Sequence, residues 1–230
     1  MATSPTLIRR ALKQTAICYA VIGALLFGAA GTLHWPAAWV FIGGMLLLSV
    51  VSTFWLARRD PGLLEERLKL PVQEGQGKAD KVFVGVLGVS LLSWLLLLGL
   101  DARFAWSAVP PLVQLAGGLM LLGGAWICLL VFRENSFASP VVRIQAEREQ
   151  RVISSGPYAF VRHPMYSGAM LFFFGLPLLL GSWWGLPGSA FLVVLFGVRT
   201  VIEEAALVQG LRGYEEYRSR VRYRLIPRVW

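Results

Sequence analysis

Residues 156–168 concentrate side chains that can do chemistry. This segment holds His163, one of only two histidines in the chain, directly after Arg162, with tyrosines at positions 158 and 166. A strongly apolar run follows at once. Polar groups at the mouth of an apolar run are costly unless they are used, so the segment is a candidate functional site.

Pro164 predicts that a helix begins beside His163, because proline fits the first helical turn, where no N–H is needed. The unpaired amides and the dipole of a helix start attract an anion. Arg162 adds a fixed positive charge that can bind a carboxylate or phosphate through two hydrogen bonds. Tyr158, Phe160 and Tyr166 offer flat faces for a planar base or a cation.

A second group of charges, Arg199 with Glu203 and Glu204, comes one turn after another apolar run. Arg199 and Glu203 are four residues apart and share a helix face, whereas Glu204 points about 100° away. Charges at this depth usually face the protein interior. We expect them to bind a cationic ligand, with Arg199 facing an anionic group.

Simpler interpretations exist for both groups. Arg162 could extend to the lipid surface, the tyrosines could form an interfacial belt, and His163 could cap a helix. Arg199, Glu203 and Glu204 could be an internal ion pair at the membrane edge. Spacing alone leaves these alternatives open.

The elements that must position these residues are membrane helices. The 230 residues are 56% hydrophobic and 15% charged, against about 25% charged residues in soluble domains. The chain has six apolar runs, and several of them approach or exceed the roughly 20 residues that span a bilayer. They cover residues 15–31, 36–57, 82–100, 112–132, 164–184 and 186–198.

Basic residues predict the orientation of the chain. With both termini in the cytosol, 21 of the 22 Lys and Arg residues lie inside, and only Arg103 lies outside. Tryptophans then cluster at the outer face, as an aromatic belt does. They are Trp35, Trp39, Trp106, Trp183 and Trp184. Anionic lipid headgroups account for the net charge of +9, and no nucleic-acid partner is needed.

The fold predicted is therefore all-α and polytopic, with about six transmembrane helices. We divide it into an N-terminal four-helix region, 1–132, and a C-terminal region, 133–230, that carries the site. Within 58–80 we expect a short amphipathic segment on the membrane surface and then a polar loop. The first run also fits a cleaved signal peptide, an alternative that the sequence leaves open. The two cysteines lie in apolar runs and show no metal or disulfide spacing.

Several motifs, in this order, resemble the isoprenylcysteine carboxyl methyltransferase family, whose wider group includes membrane phospholipid N-methyltransferases. The motifs are Gly156-Pro157-Tyr158, Arg162-His163-Pro164-Met165-Tyr166-Ser167-Gly168, Arg199 with Glu203-Glu204, Gly213-Tyr214-Glu215-Glu216-Tyr217 and Ile226-Pro227. An earlier stretch, 59–67, resembles bacterial members. No glycine-rich dinucleotide fingerprint is present, so a Rossmann-type methyltransferase is not expected.

The resemblance implies S-adenosylmethionine as the cofactor and methyl transfer at the cytosolic face of a multi-pass membrane protein, the inner membrane in a bacterium. The chemistry of the two charged groups also suits its carboxylate, ammonium, adenine and sulfonium. Carried over by position, the resemblance and the two groups predict cofactor contacts at Gln150, Arg151, Val152, Ile153, Tyr158, Arg162, His163, Pro164, Met165, Tyr166, Glu203 and Glu204. Arg199 and Glu203 are the predicted catalytic residues, with Arg199 facing the methyl acceptor. Gln150 departs from the histidine common in eukaryotic members.

The expected acceptor is lipid-like or lipidated and enters between helices from the membrane. A carboxylate acceptor needs no base, whereas an amine or thiol needs one, for which Glu203, Glu204 or His163 are candidates. Phospholipid N-methylation is one alternative. A sterol-reductase-like oxidoreductase, with Arg143, Arg148 and Arg151 near a phosphonucleotide, is another. A channel or transporter is the third, although polar residues within the runs are few.

Overall fold

The computed structural model describes residues 5–70 and 78–230, and every regular element among them is helical. The polar loop predicted before residue 80 lies mostly outside the described residues. The helices are α1 (Pro5–Ala30), α2 (Pro36–Arg59), α3 (Pro61–Arg67), α4 (Lys78–Phe104), α5 (Pro111–Glu134), α6 (Pro164–Leu180), α7 (Gly185–Gly210) and α8 (Tyr214–Arg220). Short 3₁₀ turns at Ala146–Arg148 and Gly156–Ala159 interrupt the segment between α5 and α6.

Four helices, α1, α2, α4 and α5, are long and apolar enough to cross a membrane. Helix α6 is apolar but has 17 residues, and α7 joins the sixth apolar run to the charged segment after it. The prediction of an all-helical, polytopic membrane protein is confirmed. The number six, the cytosolic termini and the division at residue 132 stay predictions.

Proline sets the start of several helices. Residues 36, 61, 111 and 164 are all prolines in the first turn, where the missing N–H costs nothing. Asp60 separates α2 from α3 and accepts a hydrogen bond from the amide of Leu63. The break predicted at residues 61–62 therefore appears as a change of helix.

Pro177 lies inside the fifth apolar run, where a proline is expected to interrupt a helix, but α6 continues through it to Leu180. Proline cannot donate to the carbonyl of Phe173, four residues earlier. The hydroxyl of Ser189, on α7, donates to that carbonyl instead, at 2.6 Å. This bond offsets the cost of proline within the helix.

Helices α5 and α6 pack with their backbones nearly in contact. A side chain on Gly124 would lie 2.6 Å from the carbonyl oxygen of Gly168, and one on Gly117 would lie 2.5 Å from the amide of Leu179. Only glycine fits at this distance. The seam fixes α6, and hence the residues at its start, against α5.

Helix α3 differs from its prediction. Leu63 and Leu64 are buried against Ala11, Leu56 and Val131 of neighbouring helices. Its apolar side therefore packs on protein rather than on the membrane surface. The short connection from Asp60 forces this position, since α3 turns back directly from the end of α2.

Candidate functional site

A cavity of about 840 Å³, counting the space at its open mouth, lies between the start of α6, the charged end of α7, α8 and the segment 135–155. Of the predicted cofactor residues, those at its wall are Gln150, Arg151, Val152, Ile153, Tyr158, Arg162, His163, Met165, Tyr166 and Glu203. Pro164, Glu204 and Arg199 are not part of the wall.

Glu203 is the only carboxylate among the described residues that line the cavity. Its side chain is 26% exposed, and it accepts a 2.5 Å hydrogen bond from the hydroxyl of Tyr166. His163 Nδ1 lies 3.8 Å from the other carboxylate oxygen. The His163 and Tyr166 rings stack with centroids 5.6 Å apart and planes at 1°. One turn of α6 therefore presents two parallel rings beside one accessible carboxylate.

Glu204 lies behind this wall, with 5% of its side chain exposed. It accepts hydrogen bonds from Arg162 Nε at 2.5 Å and Arg224 Nε at 2.8 Å, and it lies 3.3 Å from His163 Nε2. We call Glu204 with these three partners the Glu204 cluster. Its carboxylate is already surrounded by cationic groups, so it positions the wall.

The expectation that Arg162 and the helix start form an open anion site is wrong. Arg162 is paired with Glu204, and its Nη1 donates to the carbonyls of Val221 and Arg222, both at 2.7 Å. The amides of Arg162 and His163 donate to the carbonyls of Tyr223 and Arg224. The segment after α8 therefore occupies this helix start.

Arg199 is buried and pairs with Asp80 of α4 at 3.4 Å. It also donates to the carbonyl of Pro140 at 2.6 Å, and its guanidinium lies 6.0 Å from the ring centre of Tyr166. The simpler interpretation, an internal ion pair, therefore fits Arg199, although the carboxylate belongs to Asp80 and no Arg199–Glu203 contact within 4.0 Å occurs. Arg199 supports Tyr166 from behind, and its catalytic role stays a prediction.

The segment between α5 and α6 is held in place at several points. Asp80 accepts a hydrogen bond from the amide of Val142 at 3.0 Å. Gln150 accepts one from the amide of Gln145, whose own side chain donates to Phe137. The cavity wall at 150–153 is thus fixed to α4 and to the loop itself.

Three tyrosines, of which Tyr214 and Tyr217 are buried and Tyr158 is partly buried, complete the cavity. Tyr158 accepts a hydrogen bond from Asn135 at 2.7 Å, and its carbonyl accepts one from Tyr217 at 2.8 Å. The hydroxyl of Tyr214 is buried without a hydrogen-bond partner among the described residues. Burial raises the pKa of Tyr158, Tyr214 and Tyr217 well above the usual value, so all three hydroxyls stay protonated.

Asn135, Tyr214, Tyr217 and Asp80 were absent from the predicted site. The two tyrosines belong to the motif at 213–217, which could have placed them near the other motifs. Asp80 offered one signal, a carboxylate just before an apolar run. Asn135 offered none.

The wall suits a ligand with a flat ring, a cationic part and polar groups. Tyr158 and Tyr166 supply aromatic faces, and Glu203 supplies negative charge. A buried hydroxyl without a partner, as at Tyr214, is costly unless a ligand or water bonds to it. The residues present therefore fit S-adenosylmethionine.

Comparison with known proteins gives two matches. Residues 112–212 match the model of the phospholipid methyltransferase family. Over 106 residues the chain is 35% identical to the protein-S-isoprenylcysteine O-methyltransferase of Schizosaccharomyces pombe, and the match covers 45% of each chain. The chain thus matches just under half the length of this curated relative. Both matches agree with the motifs, and the predicted resemblance to this group of membrane methyltransferases is confirmed over the matched part of the chain.

Proposed function

We propose that the protein is an integral membrane methyltransferase that moves a methyl group from S-adenosylmethionine to a lipid-like or lipidated carboxylate at the cytosolic membrane face. One observation carries the proposal. Glu203, Tyr166 and His163 form a cavity wall at the end of apolar helices, within the segment that matches the family. A site at this place is open both to a soluble cofactor and to a molecule from the bilayer.

The cofactor would be held by residues of the wall. Glu203 attracts the cationic part of the ligand, and the rings of Tyr158 and Tyr166 pack against its flat or charged parts. The hydroxyl of Tyr214 gains the hydrogen-bond partner that it lacks within the described residues. The Glu204 cluster keeps His163 and the start of α6 in place.

When bound, this cofactor supplies a methyl carbon that forms a bond to a carboxylate oxygen while its bond to sulfur breaks, the electron pair staying on sulfur. No proton moves, so the protein needs no general base. The residues of the wall contribute by holding the two reactants in line and excluding water. Arg199 assists by fixing the ring of Tyr166 from behind.

Methylation of a phospholipid amine is the second candidate, because the matching family model is that of phospholipid methyltransferases. An ammonium group must lose a proton before it attacks. Glu203 is the candidate base, since it is the accessible carboxylate of the wall and lies next to His163.

A sterol-reductase-like function has less support. Of the three arginines that a phosphonucleotide would use, Arg143 is paired with Glu66 and Glu147, and Arg148 donates to Gln145. Both guanidiniums are thus already engaged by side chains of the protein.

Calorimetric titration of S-adenosylhomocysteine tests the cofactor assignment. We expect binding to the detergent-solubilised protein and a loss of affinity of about tenfold or more in Glu203→Ala, the size of a lost charged contact. Glu215→Ala is the control, since Glu215 is 74% exposed on α8. No binding by the wild type refutes the function, and equal binding by Glu203→Ala refutes the site.

The stability of the methylated product to alkali separates the two acceptors. Membranes are incubated with the protein and labelled S-adenosylmethionine, and the lipid fraction is then treated with base. A methyl ester releases labelled methanol, whereas an N-methyl group keeps its label. Release supports the carboxylate, and retention supports the amine.

A further inference from the structure

Three buried or partly buried arginines at the predicted inner end are each paired with a carboxylate. Arg162 pairs with Glu204, Arg199 with Asp80, and Arg143 with Glu66. Arg67, at the end of α3, has no carboxylate within 4.0 Å among residues 5–70 and 78–230. A guanidinium out of water is costly without a counter-ion.

The contacts of Arg67 are weak substitutes for an anion. Its Nη1 donates to the carbonyl of Ala138 at 3.1 Å and lies 3.9 Å from the sulfur of Met165. The guanidinium lies 4.3 Å from the ring centre of Phe132. Burial lowers the pKa of Arg67, and no neighbouring carboxylate opposes the effect. A cation–π contact and one carbonyl leave most of its donors for another partner.

The position of Arg67 connects it to the cavity. Ala138 and Met165, which it touches, both line the cavity wall. Phe132 lies two residues before the end of α5, at the level where the apolar helix gives way to charge. Arg67 as a whole is not fully buried. An anion bound there would lie one residue away from the cofactor cavity, on the side of the apolar helices.

We propose that Arg67 binds the anionic group, a carboxylate or a phosphate, of the lipid-like methyl acceptor. The assignment rests on the proposed function and adds the subsite that the acceptor uses. The same chemistry would also suit a bulk anionic phospholipid. Arg67 contacts two residues of the cavity wall, Ala138 and Met165. This position favours the acceptor, because the acceptor must lie beside the cofactor, whereas a bulk lipid can bind anywhere on the helix bundle.

The test is thermal unfolding of the detergent-solubilised protein with four probes. Oleate carries a carboxylate on one chain, lysophosphatidate carries a phosphate on one chain, dioleoylphosphatidylglycerol represents bulk anionic lipid, and monoolein is neutral. We expect one of the single-chain anions to raise the midpoint more than monoolein does. Its apparent affinity should fall about tenfold or more in Arg67→Gln and less in Arg67→Lys, which keeps the charge.

Two controls guard against general effects. Arg58→Gln removes an exposed cation at the same end and should leave the shift unchanged. Glu74 lies outside the described residues, so Glu74→Gln is included. A larger response to the anion in Glu74→Gln would identify an internal counter-ion and overturn the proposal.

Three further results would overturn it. They are no shift with either single-chain anion, equal shifts in the wild type and Arg67→Gln, and an Arg67-dependent shift with phosphatidylglycerol alone. Binding of S-adenosylhomocysteine is measured on the same samples and should be unchanged in Arg67→Gln. If that ligand fails to bind the wild type, the proposed function fails, whether or not Arg67 binds anions.

Discussion

A buried carboxylate lies at each end of the helix bundle, and the partners of these two carboxylates differ. At one end, Glu204 is surrounded by Arg162, Arg224 and His163. At the other end, Asp101 accepts hydrogen bonds from the hydroxyls of Ser107 at 2.7 Å and Ser182 at 2.5 Å. No basic group lies within 4.0 Å of Asp101 in the described part of the chain.

The two networks of hydrogen bonds and ion pairs differ in what they hold together. The partners of Asp101 lie in the two connections α4–α5 and α6–α7, and Ser182 also accepts the amide of Gly185. This network only joins two turns. The Glu204 cluster joins the start of α6, the end of α7 and the segment after α8, and two of its members, Arg162 and His163, line the cavity. Ionic partners at that end therefore fix a wall that a ligand touches.

The largest effect is expected for Glu204→Gln. The change leaves the buried guanidinium of Arg162 without its counter-ion, which costs about 3–5 kcal/mol. We expect a lower free energy of unfolding and loss of S-adenosylhomocysteine binding, measured by denaturant unfolding and calorimetry. An unchanged free energy of unfolding would show that the ionic partners of Glu204 do not stabilise the fold, and would contradict this prediction.

Substitutions in the α5–α6 seam test whether the two ends are coupled. Gly124→Ala and Gly117→Ala both force backbones apart, at a cost of about 1–3 kcal/mol each. Gly124 faces Gly168, two residues from Tyr166, so only Gly124→Ala should weaken S-adenosylhomocysteine binding. Gly43→Ala is the control, because a side chain there meets nothing within 4 Å. Equal losses of binding in both seam variants would mean that the ends are coupled.

Asp101→Asn should have a smaller effect. The amide oxygen can still accept both hydroxyl hydrogen bonds, so we expect a loss of about 1 kcal/mol in the free energy of unfolding. S-adenosylhomocysteine should bind as tightly as to the wild type. Weaker binding would show that the hydrogen bonds of Asp101 influence the cavity at the other end of the bundle.

The smallest effect concerns acid and Glu66, on α3. Burial alone would raise the pKa of Glu66, but hydrogen bonds from Lys69 and Arg143 outweigh it and hold the pKa below 4.5. Because the folded pKa lies below the unfolded one, the stabilisation is complete above about pH 4.5 and is lost as the pH falls through the folded pKa. In Glu66→Gln the thermal midpoint should fall less steeply between pH 5 and pH 3 than in the wild type. The difference corresponds to about 1 kcal/mol at most in the free energy of unfolding. If the midpoint of Glu66→Gln depends on pH as steeply as that of the wild type, the hydrogen bonds of Glu66 to Lys69 and Arg143 do not stabilise the fold.

The sequence predicts features that depend on local pattern. Apolar length predicts the helices, proline predicts their starts, and one-sided charge predicts which end carries the site. Most of the predicted wall, including His163, Tyr166 and Glu203, does meet at one cavity. These residues lie near helix ends, where chain order and helix length leave few other arrangements.

Pairing between distant segments could not be predicted. Arg199 has a closer carboxylate in sequence, Glu203, yet it pairs with Asp80 because α4 packs against α7. Ser189 completes the helix across Pro177 only because α6 and α7 adjoin at that level. Arg162 looked open to a ligand because nothing in its own segment shows that residues 221–222 would reach it.

The contact of Arg162 with the carbonyl of Arg222 also sets an order of events during biosynthesis. The two residues are 60 positions apart. At roughly 5–20 residues per second, about 3 to 12 seconds pass between their synthesis. During that interval the start of α6 lacks residues 221–224, whose carbonyls accept the hydrogen bonds of Arg162 and His163 in the folded protein.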